Sequence, residues 1–163
     1  MKKISLLVMM TLLALTVGAQ TYPPSGNPQL EFVMQLRVSI GNSFSIPTPK
    51  GTRTVIPITG GTFQGPNIQG TILNGGADYQ LSSADGNRTE LEAIYCIKTN
   101  DGAYIHVRNK GLVVNNPYFF KASPQFEAPT NGNYAWLNTG IFICEPQWDG
   151  PNGTITLNVW KVK

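Results

Sequence analysis

Apolar and polar residues alternate along most of the chain after residue 30, and this period of two limits the possible folds more than any other feature. The alternation is clearest where every second residue is apolar, at Phe32, Met34, Leu36, Val38 and Ile40. A period of two is typical of strands with one buried face, whereas an amphipathic helix repeats about every 3.6 residues. No window of a dozen residues shows a helical stripe with caps. The sequence therefore predicts an all-β protein with little or no helix.

Turn-forming residues separate the alternating segments. Clusters such as Asn74-Gly75-Gly76 and Asp101-Gly102 supply residues that tolerate positive φ. Gly60 and Gly61 lie inside a strand-like segment, where glycine is typical of a bulge or a tight bend. Many short strands at regular spacing predict a sandwich or a closed antiparallel barrel. After 31–40, the predicted strands are 53–58, 68–73, 77–82, 90–99, 103–110, 118–122, 134–144 and 154–162.

The N-terminus has the pattern of a secretory signal. Lys2 and Lys3 precede an apolar run that ends near Ala19, and the run is shorter than the roughly 20 residues of a membrane span. We expect a signal peptide over 1–19, a flexible arm over 20–30 and one barrel domain over 31–163. The mature protein is then exported, either periplasmic or secreted, and no other stretch is long and apolar enough to span a membrane.

Charge and composition exclude several function classes. The chain has 12 Lys and Arg against 9 Asp and Glu, which is too little basic charge for a nucleic-acid binder. One histidine and no Cys-x-x-Cys motif give no metal pattern, and we expect no metal and no cofactor. The two cysteines, Cys96 and Cys144, either form a disulfide in the exporting compartment or are small buried apolar residues.

The segment around Asp101-Gly102 predicts a hairpin with a two-residue turn. Asn100 then pairs with Ala103, and Cys96 lies opposite Val107. In this register one face of the hairpin points inward and is mostly apolar, and His106 points outward. The predicted inward face consists of Glu92, Ile94, Cys96, Ile105, Val107 and Asn109.

Several motifs resemble one protein family over nearly the whole mature chain. They are the segments 53–66 and 70–80, Leu91-Glu92-Ala93 with Tyr95, Asp101-Gly102-Ala103 with Ile105, Val107, Asn109 and Gly111, Tyr118-Phe119-Phe120, Pro124 with Phe126-Glu127, and 134–138. This pattern is similar to the bacterial and fungal family filed as domain of unknown function 3237. The resemblance implies an antiparallel β-barrel of calycin-like shape with no general activity assigned. The family often has Asp at the positions of Asn100 and Glu92. The exchange at Asn100 removes one carboxylate, which argues against a paired acid at that turn.

Carboxylates offer the remaining route to catalysis. A Ser-His-Asp triad is disfavoured because His106 is the only histidine and no nucleophile elbow is present. Asp78, Glu92 and Glu127 lie within the motif segments, and a carboxylate in a water-poor barrel acts as a general acid or base near neutral pH. The alternative is that these carboxylates form structural ion pairs and turn caps.

Other motif residues predict a binding surface. Alternation places Tyr134, Trp136 and Asn138 on one face of a strand, and Arg53 and Asn109 add polar contacts. We therefore expect the barrel to bind a small hydrophobic or aromatic molecule. The alternative function is a cofactor-free hydrolase or isomerase, with a lactone hydrolase that uses Glu92 or Glu127 as base as the leading case. Because barrels of this size often associate, we also expect a homo-oligomer.

Overall fold

The computed structural model describes residues 26–150 and 153–163, so the predicted signal peptide 1–19 and residues 20–25 of the predicted arm lie outside it. The described chain confirms the all-β prediction, with a single 3₁₀ helix, Ala135–Thr139. No helix in this part of the chain is long and apolar enough to cross a membrane. The strands are β1 Leu30–Ile40, β2 Phe44–Thr48, β3 Gly51–Gln64, β4 Gln69–Ile72, β5 Gly76–Ser82, β6 Arg88–Thr99, β7 Tyr104–Asn115, β8 Tyr118–Glu127, β9 Phe142–Trp148 and β10 Thr154–Val162.

All pairings are antiparallel, and they close a barrel with eight strand positions. The order runs from β1 through β10, β9, β8, β7 and β6 to a position that β4 and β5 share, and then to β3. Pairing between β1 and β3 closes the circle, and β2 continues the position of β1 along the first half of β3. Closure leaves few free strand edges in the described sheet, which limits edge-to-edge pairing with other sheets.

Two glycines let β3 bend between its two halves. The first half pairs with β5 and the second with β4. Gly60 and Gly61 have φ of 145° and 131°, and the pairing with β1 shifts register between Ser39 and Ile40. A Cβ at Gly61 would lie 2.0 Å from the backbone oxygen of Arg37. The bulge predicted at these glycines is confirmed, and only glycine fits it.

Large buried side chains fill the end of the barrel near the last residue of β8. The 3₁₀ helix lies across this end and buries Leu137. Phe126 and Phe142 meet edge to face, with ring centroids 5.0 Å apart. The largest fully buried side chains of the barrel are Phe142, Met34, Leu36, Ile97, Ile105, Leu137, Val107 and Val159.

The predicted register of the β6–β7 hairpin is wrong by one residue. Thr99 and Ala103 close a loop of three residues, not two, since the Thr99 N–H donates to the Ala103 carbonyl at 2.9 Å. Gly102 takes φ of 96°, as in a three-residue loop that ends in a left-handed residue. Val107 therefore lies opposite Tyr95, not Cys96.

The one-residue shift reverses the face of β6 but leaves that of β7 unchanged. Ile105, Val107 and Asn109 point inward, as predicted. On β6 the inward residues are Tyr95 and Ile97, whereas Cys96 is exposed. The inward placement of Glu92, Ile94 and Cys96 was therefore wrong.

The predicted strand 134–144 is also wrong in its first part. Residues 135–139 form the 3₁₀ helix, and β9 begins only at Phe142. Asn138 stabilises the connection because its Oδ1 accepts from the Ala128 N–H at 2.7 Å and its Nδ2 donates to the Ala128 carbonyl at 3.1 Å. Tyr134, Trp136 and Asn138 therefore do not share a strand face. The sequence prediction also missed β2, whose Phe44 and Ile46 are exposed.

A candidate ligand site inside the barrel

The end of the barrel opposite the 3₁₀ helix contains a cavity of about 250 Å³. Its walls come from the end of β1, the start of β6, the end of β7 and the start of β10. Most of the wall is aliphatic, with Phe120 and Trp148 among its aromatic members. The aliphatic lining includes Val38, Ile40, Ile56, Ile58, Leu91, Val113, Ile155 and Leu157.

Two polar side chains lie in one row across three neighbouring strands. Asp78 on β5 is directly opposite Ala93 on β6, and Ala93 is directly opposite Asn109 on β7. Directly opposite residues share a face of the sheet, and all three line the cavity. Because neighbouring strands are about 4.8 Å apart, the Cα atoms of Asp78 and Asn109 are about 10 Å apart. The small side chain of Ala93 leaves this space open.

Asp78 is a carboxyl group in an apolar environment. Burial is the main influence and raises its pKa above the ordinary value of 3.8. Two hydrogen bonds partly oppose this effect, one from the Gln80 Nε2 at 2.8 Å and one from the Glu92 N–H at 3.2 Å. A carboxyl group held in this way exchanges protons closer to neutral pH than a surface aspartate.

Tyr95 and Asn109 complete the polar lining on the deeper side. Tyr95 is 4% exposed, and its hydroxyl makes no hydrogen bond with any residue that the structure describes. Burial, followed by the nearby Cys144 and Asp78, raises the pKa of Tyr95, so the phenol stays protonated. Asn109 is 7% exposed, and its hydrogen-bond partner among the described side chains is Cys144, whose Sγ lies 3.7 Å from Nδ2 and 3.9 Å from Oδ1.

The two cysteines are free and lie on different sides of the barrel wall. Cys96 is exposed on the outside, and Cys144 is buried inside. The two alternatives for this pair were a disulfide or two small buried residues. The two cysteines form no disulfide in the structure, and of the two only Cys144 is buried. Burial raises the pKa of the Cys144 thiol, and the contact with Asn109 partly opposes this effect, so that the pKa is about 12. Cys144 is therefore not a thiolate nucleophile at neutral pH.

Glu92 and Glu127 lie on the outer surface, unlike Asp78. Glu92 accepts a hydrogen bond from the Arg108 Nε at 2.7 Å and lies 3.9 Å from the Lys110 Nζ. The side chain of Glu127 is 83% exposed, 3.9 Å from the half-buried His106. The structure therefore brings only one of the three candidate carboxylates to the cavity.

Most of the predicted binding residues also lie away from the cavity. Arg53 lies in an outer groove beside Tyr79, and the Arg53 Nη1 donates to the Tyr79 carbonyl at 3.4 Å. The Tyr134 hydroxyl donates to Asp101 at 2.9 Å, and the Trp136 ring lies 5.8 Å from the Lys161 Nζ. Asn138 bonds the backbone of Ala128, as described above. Asn109 is the one predicted binding residue that lines the cavity.

Tyr95, Gln80 and Ala93 are cavity residues that the sequence analysis did not propose. A three-residue loop ending at Gly102 would have put Tyr95 on the face of Val107, so the glycine itself carried the missing signal. No group of three His, Cys, Asp or Glu side chains within residues 26–150 and 153–163 could hold a metal ion. The polar side chains that line the cavity include those of Asp78, Gln80, Thr89, Tyr95 and Asn109, which are one carboxyl, one phenol, one hydroxyl and two amides.

The chain has relatives among bacteria and fungi. A UPF0311 protein from Clostridium acetobutylicum is 36% identical over 110 residues, which cover 58% of this chain and 68% of the relative. The crystal structure of a conserved protein of unknown function from Rhodopseudomonas palustris superposes with a TM-score of 0.77 at 28% identity, covering 85% of this chain and 100% of that one. A hydroalkoxylation enzyme, phnH, from Penicillium herquei is 29% identical over 138 residues, covering 83% of this chain and 84% of the enzyme.

The family assignment rests on a match along almost the whole described chain. The profile described as "Protein of unknown function (DUF3237)" matches residues 28–162, from just before β1 to the last residue of β10. The chain belongs to this family of proteins of unknown function, DUF3237.

Proposed function

We propose that the barrel binds a small hydrophobic or aromatic molecule in its interior cavity. The observation that carries this proposal is the unequal filling of the barrel, with large side chains at one end and a cavity of about 250 Å³ at the other. Ligand sites are typically concave and mostly apolar, with a few polar groups that orient the ligand. Asp78, Tyr95 and Asn109 supply such groups here.

A blocking variant tests this proposal. Ala93→Phe places a ring between Asp78 and Asn109, whereas Ile94→Phe adds a ring on the outer face of the same strand as a matched control. We expect the purified protein to retain members of a panel of aromatic acids, lactones and lipophilic metabolites, detected by mass spectrometry. Retention should be lost in Ala93→Phe and kept in Ile94→Phe. If no compound is retained, or if both variants behave like the parent, the cavity is not the binding site.

A second candidate function is cofactor-free acid–base catalysis on the bound molecule. Asp78 favours it, because burial raises the pKa of a carboxyl group that faces the cavity. The relative named as a hydroalkoxylation enzyme supports an activity of this kind, since adding an alcohol O–H across a double bond needs proton transfer and no redox change. Lactone hydrolysis and double-bond isomerisation have the same requirement.

The location of the carboxylates gives this second candidate a specific form. Asp78 is the acid–base group, and Glu92 and Glu127 are not, because their side chains lie outside the cavity. With any compound that the panel shows to be converted, Asp78→Asn should lower turnover at least about 100-fold, the range of general acid–base catalysis. Glu92→Gln and Glu127→Gln should each change it less than about threefold. A larger loss of turnover in Glu92→Gln or Glu127→Gln than in Asp78→Asn would assign the acid–base role to the outer surface.

We also propose that the protein is exported after cleavage near Ala19, as its N-terminal sequence predicts. The support is the basic and apolar pattern of residues 1–19. Expression of the full chain in a bacterial host, followed by fractionation and mass spectrometry of the product, tests this. A product that begins near Gln20 outside the cytoplasm supports export, and an intact cytoplasmic chain contradicts it.

Self-association into a homo-oligomer stays a prediction. Leu30, Phe119 and Ile143 are exposed apolar residues around one outer groove. Light scattering of the purified protein measures the mass directly. A monomer at all concentrations would contradict this prediction without affecting the interior site.

A further inference from the structure

One polar side chain of the cavity, Tyr95, has no hydrogen-bond partner among the residues that the structure describes. Polar groups inside proteins nearly always have such a partner. The amide of the neighbouring Asn109 has one partner, the Cys144 Sγ, at 3.7 Å from Nδ2 and 3.9 Å from Oδ1. Both side chains are more than nine-tenths buried and both line the cavity. A ligand atom in the cavity would supply the partner that the Tyr95 hydroxyl lacks.

The two groups lie on neighbouring strands and face the same cavity. Tyr95 on β6 is directly opposite Val107 on β7, and Asn109 is two residues along from Val107 on the same face. Residues in this diagonal relation have Cα atoms about 7–8 Å apart, within reach of a long side chain and an amide. The phenol O–H and the Asn109 Nδ2 are both donors, so the shared atom is an acceptor, as in the oxygen of a carbonyl group.

Asp78 lies across Ala93 from Asn109, in the same row. Its own oxygens accept hydrogen bonds from Gln80 and from the backbone of Glu92, which fix the orientation of the carboxyl group. A molecule with its carbonyl oxygen at Tyr95 and Asn109 would place its carbon frame over Ala93 and toward Asp78.

We propose that the site holds an apolar ketone by its carbonyl oxygen, between Tyr95 and Asn109, and that Asp78 removes and returns a proton at the carbon next to that carbonyl. This inference rests on the proposed function and names its ligand class. The carboxylate takes the proton, the C–H electron pair forms the enolate, and the negative oxygen receives the two hydrogen bonds. Return of the proton to carbon restores the carboxylate, so no other reactant is consumed.

Burial assists each step. An enolate oxygen is stabilised more by fixed donors in an apolar cavity than by the same donors in water. The raised pKa of Asp78 brings it closer to that of a useful base, and the raised pKa of Tyr95 keeps the phenol protonated as a donor. Cys144, with a pKa near 12, stays a neutral thiol beside Asn109.

Binding of naphthalene and 2-naphthol separates this inference from the proposed function. Both probes are flat and apolar, but only 2-naphthol has an oxygen, which mimics that of an enol. We expect 2-naphthol to bind at least about tenfold more tightly than naphthalene, and Tyr95→Phe to remove most of this difference. Equal affinities in the parent protein would overturn the inference and leave the binding function intact. If neither probe binds, this inference fails, and the panel of compounds described above decides the proposed function separately.

Hydrogen exchange of 2-tetralone in D₂O, followed by mass spectrometry, tests the proton transfer. We expect deuterium to enter next to the carbonyl faster than in buffer, about 100-fold more slowly with Asp78→Asn than with the parent, and about tenfold more slowly with Tyr95→Phe. Glu92→Gln, on the outer face, should not change the rate. Exchange no faster than in buffer, or unaffected by both cavity variants, would overturn the inference.

Folding controls are available for these variants. Because the Tyr95 hydroxyl makes no hydrogen bond in the described structure, Tyr95→Phe should keep or raise the melting temperature. A structural role for the hydroxyl would instead lower the melting temperature together with the exchange rate. Retained 2-naphthol binding by Asp78→Asn would show that its cavity is still formed.

Discussion

At the scale of single residues, environment separates side chains of the same chemical type. Asp78 faces the cavity, while Glu92 and Glu127 face solvent or surface cations. The sequence motifs made all three carboxylates equal candidates for acid–base catalysis, because a motif shows which residue is present but not which side of the strand its side chain faces. Burial raises the pKa of the cavity carboxyl group of Asp78, and this shift has a measurable effect on stability.

Asp78→Asn should stabilise the protein increasingly as the pH rises from acid to neutral. The folded-state pKa of Asp78 is raised above its ordinary value of 3.8, so between these two values the folded chain retains a proton that the unfolded chain has released. The parent protein therefore loses stability as pH rises through this window, and an asparagine, which does not titrate, does not. Urea denaturation of both proteins across this pH range measures the difference. A difference that is constant with pH would contradict the raised pKa.

At the scale of elements, the sequence predicted strands well and their connections poorly. Alternation predicted β1, β5, β6, β7 and β10 near their observed positions, and it is clearest in the first half of β7, where buried and more exposed residues alternate. It failed at 134–139, where a 3₁₀ helix presents a short alternating pattern without strand pairing. It also misjudged the hairpin at 99–103, because a loop of three residues and one of two share the same Asp-Gly signal.

Gly102 fixes the register of this hairpin, so its replacement should have a cost. Its φ of 96° is unfavourable for a residue with a Cβ, although a Cβ there would meet no atom within 4 Å. Gly102→Ala should therefore destabilise the protein by about 1–2 kcal/mol through backbone strain alone. Gly132→Ala is the control, because its added Cβ makes only ordinary contacts at 3.5 Å or more and its φ is not in the left-handed region. Equal denaturation midpoints for the two variants would show that the loop tolerates a side chain.

Asn138 holds the 3₁₀ helix against the end of β8. Asn138→Ala removes both hydrogen bonds to the backbone of Ala128 and should cost about 1 kcal/mol. Asn131→Ala, in the same connection, is the control, because the Asn131 side chain makes no hydrogen bond among the described residues and is exposed. Thermal denaturation of the two variants compares them, and equal melting temperatures would mean that water replaces the Asn138 contacts without loss.

At the scale of the whole molecule, one end of the barrel contributes mainly to stability and the other contains the cavity. Large side chains and the 3₁₀ helix fill one end, so its contribution is stability. The other end keeps small residues such as Ala93, Gly111 and Ala122 where larger ones would fill the cavity. Residues at the cavity end therefore give up some core packing for space, as binding sites commonly do. The sequence predicted the barrel but not this division, since alternation specifies which face is inward and not how completely it is filled.

This division predicts that stability and binding respond to different residues. Leu137 is 1% exposed at the packed end, and Leu137→Ala should cost about 2–5 kcal/mol while leaving the affinity for 2-naphthol nearly unchanged. Val113 lines the cavity and already faces space, so Val113→Ala should cost less stability but change the affinity. Urea denaturation and probe titration of both variants form a two-by-two comparison. If Leu137→Ala weakened binding as much as Val113→Ala does, the two ends would be mechanically coupled, and the packed end would belong to the site.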